Sequence, residues 1–216
     1  KAISPRKFTM PFPLWLPSRM YFGFTKPKIN ILGNEFAGEV ETVGKDVKRF
    51  KAGDQVFGLL PGGGYAQYAV IHEGMALPVP DRLNLVEAAA IPEVFLTAYQ
   101  ALFWLGKLQT DETVLIHAGA SGVGTAAIQL AKAGKAQVLV TASAGKHRTC
   151  LDLGADLAID YQNQDFQEKV LEYTGGKGIH VIIDFIAAPY FNQNIDSLCT
   201  DGRLVLLATL GGGKVT

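Results

Sequence analysis

The sequence predicts an α/β protein in two parts, a small β module followed by a doubly wound parallel sheet. Two observations support this prediction. Between Ile29 and Val79, short β-type runs are separated by glycine-rich turns, whereas from Thr113 onward short apolar strands alternate with amphipathic helical segments. The pattern changes near residue 90, so we expect one domain over residues 1–90 and a second over residues 91–216.

The β module is predicted from three runs rich in aromatic, β-branched and small residues, Phe36–Val43, Gln55–Gly58 and Tyr65–Val70. Glycine-containing turns separate these runs, which favours a small curved sheet or partial barrel. Two helical segments, Leu85–Ala90 and Val94–Leu105, then lead into the second part, and Pro92 interrupts the chain between them.

The second part alternates strands with helices. The predicted strands are Thr113–Ile116, Gln137–Thr141, Leu157–Ile159, His180–Phe185 and Arg203–Ala208. The predicted helices are Gly122–Ala133, Lys146–Leu153, Asp165–Tyr173 and Tyr190–Leu198. This alternation predicts parallel strands joined by right-handed crossovers, with helices on both faces of the sheet.

Composition narrows the function to small-molecule chemistry. The 20 basic and 20 acidic residues cancel and form no long run, so neither a nucleic-acid surface nor a membrane-surface patch is expected. The only two cysteines, Cys150 and Cys199, are far apart in sequence, which disfavours a disulfide scaffold or a cysteine-rich zinc site. We therefore expect a reducing, cytoplasmic location.

The N-terminal segment Met10–Phe24 is apolar and aromatic. Its prolines at 11, 13 and 17 and its Arg19 argue against a membrane-spanning helix, so we expect a buried or substrate-facing loop. The chain starts at Lys1 and its second part supplies only five strands where a full dinucleotide fold has six. Both features lead us to expect a shortened chain.

The stretch HAGASGVG, His117–Gly124, joins the first parallel strand to the first helix of the second part. A glycine-rich turn at a helix N-terminus can bind a pyrophosphate through free backbone N–H groups. The glycines Gly119, Gly122 and Gly124 have GxxGxG spacing, and Ser121 stands where the usual motif has its middle glycine. The alternative is a tight strand-to-helix turn that serves packing alone.

The end of the second parallel strand predicts which nucleotide binds. An NAD-binding chain has a carboxylate there, but this sequence has Thr141, Ser143, Lys146 and Arg148. Hydroxyls and cations suit a 2′-phosphate, so NADPH is the expected cofactor. Alternatively, Lys146 and Arg148 only cover the solvated first turn of a helix.

Several separated motifs then resemble one family. These are ILGNEFAG at 31–38, AGDQV at 52–56, AAAIP at 88–92, LTAY at 96–99 and HAGASGVGTAAIQLAK at 117–132. Together they resemble the medium-chain dehydrogenase/reductase superfamily and, within it, the zinc-free quinone oxidoreductases related to zeta-crystallin. The stretches PGGGYAQY at 61–68 and AIPE at 90–93 are similar to the tumour-suppressor-inducible NADPH quinone oxidoreductase branch.

The resemblance implies a partial GroES-like catalytic domain over residues 1–90 and a Rossmann NADPH-binding domain over residues 91–216, cut short before its last strand. It also implies a homodimer, although a shortened chain would lack the strand on which relatives build that contact. Zinc-dependent members carry a histidine where this chain has Asn34, between Gly33 and Glu35. An asparagine amide is a poor zinc ligand, so no metal site is expected.

The resemblance also implies site residues. Ser121 faces the nicotinamide and substrate in the similar branch and is the leading catalytic candidate with Thr97, although Ser121 could equally cap the helix. The predicted cofactor-binding residues are Gly119, Ser121, Gly122, Val123, Gly124, Thr141, Ser143, Lys146, Arg148, Tyr161, Phe185 and Ala208. Whether Lys146 or Arg148 meets the 2′-phosphate stays open. His117 is expected to be a hydrogen-bonded core residue.

Three functions remain open from the sequence. The first is NADPH-dependent, zinc-independent reduction of a small quinone. The second is reduction of an enone by an enoyl reductase of the same fold. The third is NADPH binding without catalysis, as the resemblance to a lens crystallin allows.

Overall fold

A computed structural model describes residues 15–24 and 30–214 of the 216-residue chain. The chain divides into two compact units, Lys1–Glu93 and Val94–Thr216. That these units correspond to a catalytic and a cofactor-binding domain stays a prediction.

The first unit contains a short antiparallel sheet. Its described elements are α1 (Trp15–Phe22), β1 (Glu35–Glu39), β2 (Gln55–Leu59), β3 (Ala76–Pro78) and α2 (Leu85–Ala89). The strand order is β1-β2-β3, with both pairs antiparallel. Helix α2 begins with a capping box in which Asn84 and Glu87 each bind the other's backbone N–H. The predicted β module is therefore present.

Two expectations in this unit were wrong. Residues 15–22 form a helix rather than a loop, because Pro17 lies in the first helical turn, where its missing N–H has no partner to lose; residues 10–14 lie outside the described part. The segment Tyr65–Val70 forms no regular strand, and the third strand is instead Ala76–Pro78. The side chains of Tyr65, Tyr68 and Val70 are 79%, 73% and 97% exposed, so the β-type residues that predicted a strand here are not packed into a sheet.

The second unit contains the parallel sheet. Its first helix is α3 (Pro92–Tyr99), whose first two residues belong to the first unit. The others are α4 (Gly122–Ala133), α5 (His147–Asp152), α6 (Phe166–Thr174) and α7 (Phe191–Ser197). Its strands are β4 (Thr113–Ile116), β5 (Gln137–Ala142), β6 (Leu157–Asp160), β7 (Ile179–Asp184) and β8 (Leu198–Leu206). They pair in the order β6-β5-β4-β7-β8, all in parallel.

Packing on both faces of this sheet explains its continuous apolar strands. Val114 and Ile116 of β4 belong to one buried cluster with helix α4, whereas Leu115 belongs to a second cluster with Phe166 and Val170 of α6. Successive side chains of a strand point to opposite faces, so helices cover both sides. The predicted α/β class, with an antiparallel module followed by a doubly wound parallel sheet, is confirmed.

Most element ends in this unit differ from expectation by one or two residues, and the largest difference is at the last strand. The last predicted helix was expected to reach Leu198 and the last strand to run from Arg203 to Ala208. Instead β8 begins at Leu198, which pairs with Ile179, and ends at Leu206. An irregularity between the two parts of the pairing accommodates the turn-forming Asp201, which has φ 60°.

Helix α3 continues into a π-helical turn over Gln100–Leu105. Arg203 binds the two residues that follow this turn. The Arg203 guanidinium donates to the carbonyl oxygens of Gly106 (2.9 Å) and Lys107 (3.1 Å). It also binds both carboxylate oxygens of Glu112, at 3.0 and 2.6 Å. Burial opposes ionisation of Glu112, but the hydrogen bonds from Arg203 and the Gln109 N–H outweigh it and lower the pKa of Glu112.

We expect Arg203→Met to lower the melting temperature by about 5 to 10 °C, since it removes a partly buried bidentate ion pair worth about 2 to 3 kcal/mol. The double variant with Glu112→Gln should be more stable than the sum of the single variants predicts, because neither charge is then left unpaired. The lowered pKa of Glu112 means that this contribution is complete above the ordinary value of 4.5 and is lost as the pH falls through the lower folded value. Thermal unfolding of the four proteins at pH 7 and pH 4 measures this, and strictly additive losses would contradict it.

Among residues 15–24 and 30–214, no helix combines the length and apolar character needed to cross a membrane.

Candidate cofactor-binding site

The glycine-rich stretch forms the turn between β4 and α4, as predicted. Ser121 is the N-cap residue of α4, and its hydroxyl oxygen accepts a hydrogen bond from the Gly124 N–H at 3.1 Å. The Thr125 N–H donates to the Ser121 carbonyl at 2.8 Å. The N–H groups of Gly122 and Val123 precede the first bond of the helix, and they are the groups available to an anion here.

Two of the glycines permit close packing rather than unusual backbone angles. A Cβ atom on Gly119 would lie 2.6 Å from Val140 Cβ, and one on Gly124 would lie 2.5 Å from the Ala118 carbonyl oxygen. Both glycines are buried, whereas Ser121 and Gly122 are exposed. The turn therefore presses against the sheet on one side and offers backbone donors to solvent on the other.

The residues predicted to meet a 2′-phosphate follow β5. Ser143 is half-buried and leads into a 3₁₀ turn over Ala144–Lys146. Arg148 forms an exposed ion pair with Asp152 at 2.9 Å, and no ion pair of Lys146 is found within the described part of the chain. Thr141 is buried and its hydroxyl is already engaged, so it does not point to solvent.

A carboxylate that the sequence analysis missed lies beside this turn. Asp160, the last residue of β6, pairs in register with Ala142. The Asn163 amide donates to it at 2.7 Å and lowers the pKa of Asp160, and the Gln162 N–H also donates at 3.2 Å. Both donors come from the loop that directly follows Asp160, so the carboxylate is hydrogen-bonded to its own loop. The next residue, Tyr161, is 47% exposed.

The remaining predicted residues lie around the same edge of the sheet. Phe185 follows β7 directly, and Ala208 lies two residues beyond β8, in the loop rather than in the strand. Because the strands are parallel, the segments after β4, β5, β6, β7 and β8 all leave at one edge. Thr97 lies on α3, one turn after Val94, whose side chain is 3.0 Å from where a Cβ on Gly122 would stand. Helix α3 thus passes beside the turn.

His117 is fully buried and hydrogen-bonded at both ring nitrogens. Its Nδ1 lies 3.0 Å from Thr141 Oγ1, and its Nε2 lies 2.7 Å from Asn194 Oδ1. The rings of Phe166 and Tyr190 pack on it with centroids 4.8 Å away. Burial lowers the pKa of His117, and this effect outweighs the Asn194 hydrogen bond and the Asp184 charge, which raise it. Neither Asn194 nor Asp184 carries a sequence signal that would have found it.

Glu35 lies next to Asn34, the position where zinc-dependent members carry a histidine, and makes a contact within the first unit. The Glu35 carboxylate accepts a hydrogen bond from the Glu93 N–H at 3.0 Å. Residues 15–24 and 30–214 contain no group of three or more His, Cys, Asp and Glu side chains arranged to hold a metal ion.

Two family models match the chain. The alcohol dehydrogenase GroES-like domain matches residues 15–81, and the zinc-binding dehydrogenase domain matches residues 122–216. The chain is 39% identical over 188 residues to the phenolphthiocerol synthesis polyketide synthase type I Pks15/1 of Mycobacterium marinum, covering 86% of this chain and 9% of that protein. It is 34% identical over 181 residues to the quinone oxidoreductase of Pongo abelii, covering 83% of this chain and 55% of that protein.

Solved structures agree with these relatives. CurK enoyl reductase is similar with a TM-score of 0.84 and 32% identity, over 92% of this chain and 60% of that one. Mycobacterial Rv1454c, solved in complex with NADPH, is similar with a TM-score of 0.76 and 32% identity, over 86% of this chain and 58% of that one. The chain thus spans about half the length of the quinone oxidoreductase it matches and a small part of the polyketide synthase.

Both family models, the two-sheet fold and the glycine-rich turn at the carboxyl-terminal edge of the parallel sheet point to one assignment. The chain belongs to the medium-chain dehydrogenase/reductase superfamily and is similar to its zinc-free quinone oxidoreductases.

Proposed function

We propose that this protein binds NADPH and reduces a small quinone by hydride transfer without a catalytic metal. The observation that carries the proposal is the turn from β4 into α4, which combines a closely packed glycine pair with exposed backbone donors at a helix N-terminus. A Cβ at Gly119 or Gly124 would meet neighbouring atoms at 2.6 or 2.5 Å, so this close approach requires glycine. Such a turn fits a pyrophosphate.

NADPH rather than NADH is supported by the residues after β5. Asp160 is the carboxylate nearest in register, and its hydrogen bonds to Asn163 and Gln162 leave it poorly suited to a ribose 2′-hydroxyl. Ser143 and the exposed ammonium of Lys146 would hold the 2′-phosphate through charge-assisted hydrogen bonds. The relative solved with NADPH supports the same choice.

The protein's part in the reaction is to bind and orient. NADPH supplies the hydride when bound, and a quinone accepts it without a strong general acid. The N–H groups of Gly122 and Val123 would bind the pyrophosphate, and Ser121 and Thr97 would lie near the nicotinamide and acceptor. Ser121 also caps α4 through Gly124, so its exposed hydroxyl would serve both purposes.

Reduction of an enone is the second candidate. It is favoured by the likeness to CurK enoyl reductase and to polyketide synthases, whereas the quinone acceptor is favoured by the likeness to the quinone oxidoreductases. In either reaction the acceptor would take a hydride from NADPH and the resulting anion would take a proton from water, so the same cofactor site serves both. Homodimer formation and a cytoplasmic location stay predictions.

The test compares acceptors on one preparation of the purified chain. NADPH oxidation is followed with a small para-quinone and with an α,β-unsaturated thioester, each with and without a chelator. We expect quinone-dependent oxidation that the chelator leaves unchanged. Turnover of the thioester alone would select the second candidate, and NADPH binding without either turnover would select a non-catalytic role. Strict dependence on added zinc would contradict the proposal.

A further inference from the structure

Two turns at the carboxyl-terminal edge of the parallel sheet each contain an alanine with a positive φ angle. Ala118 follows β4 with φ 50°, and Ala187 follows β7 with φ 70° and ψ −116°. A positive φ angle is unfavourable for a residue that has a Cβ atom, so surrounding contacts must hold each alanine in this conformation. Strands β4 and β7 are hydrogen-bonded neighbours, which brings the two turns side by side.

A buried side chain holds each turn. The Asp184 carboxylate accepts hydrogen bonds from the N–H groups of Ile186 at 2.7 Å and of Ala187 at 3.1 Å. Thr141 Oγ1 accepts one from the Ala118 N–H at 3.3 Å. Both holding side chains are almost completely buried, at 0% and 1% exposure.

His117 and Asn194 join these two anchors into one continuous chain. Asn194 Nδ2 donates to Asp184 at 3.0 Å, so its Oδ1 accepts from His117 Nε2 at 2.7 Å. The His117 ring therefore carries its proton on Nε2, and Nδ1 accepts from the Thr141 hydroxyl at 3.0 Å. We call Thr141, His117, Asn194 and Asp184 the buried polar chain.

With its proton on Nε2 alone the imidazole is neutral, and each bond of the buried polar chain then has one donor and one acceptor. A proton on Nδ1 would face the Thr141 hydroxyl, which would have to turn its own proton away. The Phe166 and Tyr190 rings pack against the imidazole, and His117 has no solvent-exposed surface. Burial lowers the pKa of His117, in agreement with this arrangement.

From this geometry we infer that His117 and Asn194 are positioning residues, which set the placement of the glycine-rich turn relative to the Phe185–Ala187 turn. The inference rests on the proposed function, since these turns would lie on either side of the bound NADPH. Both side chains are fully buried, so they have no surface to offer a ligand. They act through the backbone of Ala118 and Ala187. In this way they fix the position of the backbone N–H groups of the glycine-rich turn relative to the Phe185–Ala187 turn.

The test uses Asn194→Leu, which removes both central hydrogen bonds with a side chain of similar volume. Its control is Val138→Ala, which removes buried apolar volume at the opposite end of β5. We measure the dissociation constant of NADPH, kcat and KM for the quinone, the melting temperature, and the ¹⁵N chemical shifts of the His117 ring. We expect Asn194→Leu to weaken NADPH binding at least ten-fold and to abolish the Nε2–H signature, while the KM for quinone changes less than two-fold. Val138→Ala should bind NADPH within three-fold of the unchanged chain.

A second pair of variants tests the inference if Asn194→Leu does not fold. Thr141→Val removes only the hydroxyl that joins His117 to Ala118, and Thr141→Ser restores it. We expect Thr141→Val to weaken NADPH binding by about three- to ten-fold and Thr141→Ser to recover most of it.

Three results would overturn the inference. One is unchanged NADPH binding by Asn194→Leu or Thr141→Val. Another is that Val138→Ala loses NADPH affinity in the same proportion to its fall in melting temperature as Asn194→Leu does. The last is failure of the unchanged chain to bind NADPH, which would overturn the proposed function as well, whereas the first two leave that function standing.

Discussion

Gly124→Ala should abolish most NADPH binding and lower the melting temperature by roughly 6 to 12 °C. The added Cβ would lie 2.5 Å from the Ala118 carbonyl oxygen and 2.6 Å from that of Gly119. Both obstacles are backbone atoms of the same tight turn, so no side-chain rotation relieves the clash. Overpacking of this kind costs about 3 kcal/mol. Each kcal/mol lowers the melting temperature of a chain of this size by about 2 to 4 °C. Thermal unfolding and fluorescence titration with NADPH measure the two effects.

The matched control is Gly134→Ala, at the other end of helix α4. There a Cβ would lie 3.4 Å from the Ala131 carbonyl oxygen, an ordinary contact, and the residue has φ −77°. This variant should stay within about 1 kcal/mol of the unchanged chain and bind NADPH normally. Equal behaviour of the two variants would contradict the close-packing argument for the turn.

Ser143→Asp should reverse the preference between NADPH and NADH, shifting the ratio of their dissociation constants by about 100-fold. A carboxylate at this position repels a 2′-phosphate and accepts a hydrogen bond from a ribose 2′-hydroxyl. The variant loses a hydrogen bond to the 2′-phosphate of NADPH and gains one to the ribose 2′-hydroxyl of NADH, and each is worth about 1.5 kcal/mol. Titration with each cofactor measures the ratio.

Lys146→Ala and Arg148→Ala resolve which cation serves the 2′-phosphate, a question that the sequence left open. Arg148 is paired with Asp152, whereas Lys146 lies exposed in the 3₁₀ turn directly after Ser143. We therefore expect Lys146→Ala to weaken NADPH binding about ten-fold and NADH binding less than two-fold. Arg148→Ala should change both by less than two-fold. The reverse order would show that Arg148 leaves Asp152 to bind the phosphate.

Most of the second unit could be predicted from local pattern. Helix α4 spans Gly122–Ala133 and β4 spans Thr113–Ile116, both as expected, because buried parallel strands and amphipathic helices leave strong periodic signals. The first unit was less predictable. Tyr65–Val70 has the residue types of a strand, but the side chains of Tyr65, Tyr68 and Val70 are exposed. Pro17 was taken as a helix breaker, although the first turn of a helix tolerates proline. A local pattern reports what a segment favours and does not report which partner it meets.

The sequence by itself determined the order of strands and helices in the second unit, the glycine-rich turn after β4 and the absence of a carboxylate at the end of β5. These features depend on neighbouring residues, so they are readable along the chain. Only the tertiary structure decided that His117 meets Asn194, a residue 77 positions away, and that Asp184 and Thr141 complete the same buried polar chain. Packing of α7 against the sheet brings these groups together, and every buried polar atom there needs a partner. Such partners are chosen by the fold, because no periodicity links residues that far apart.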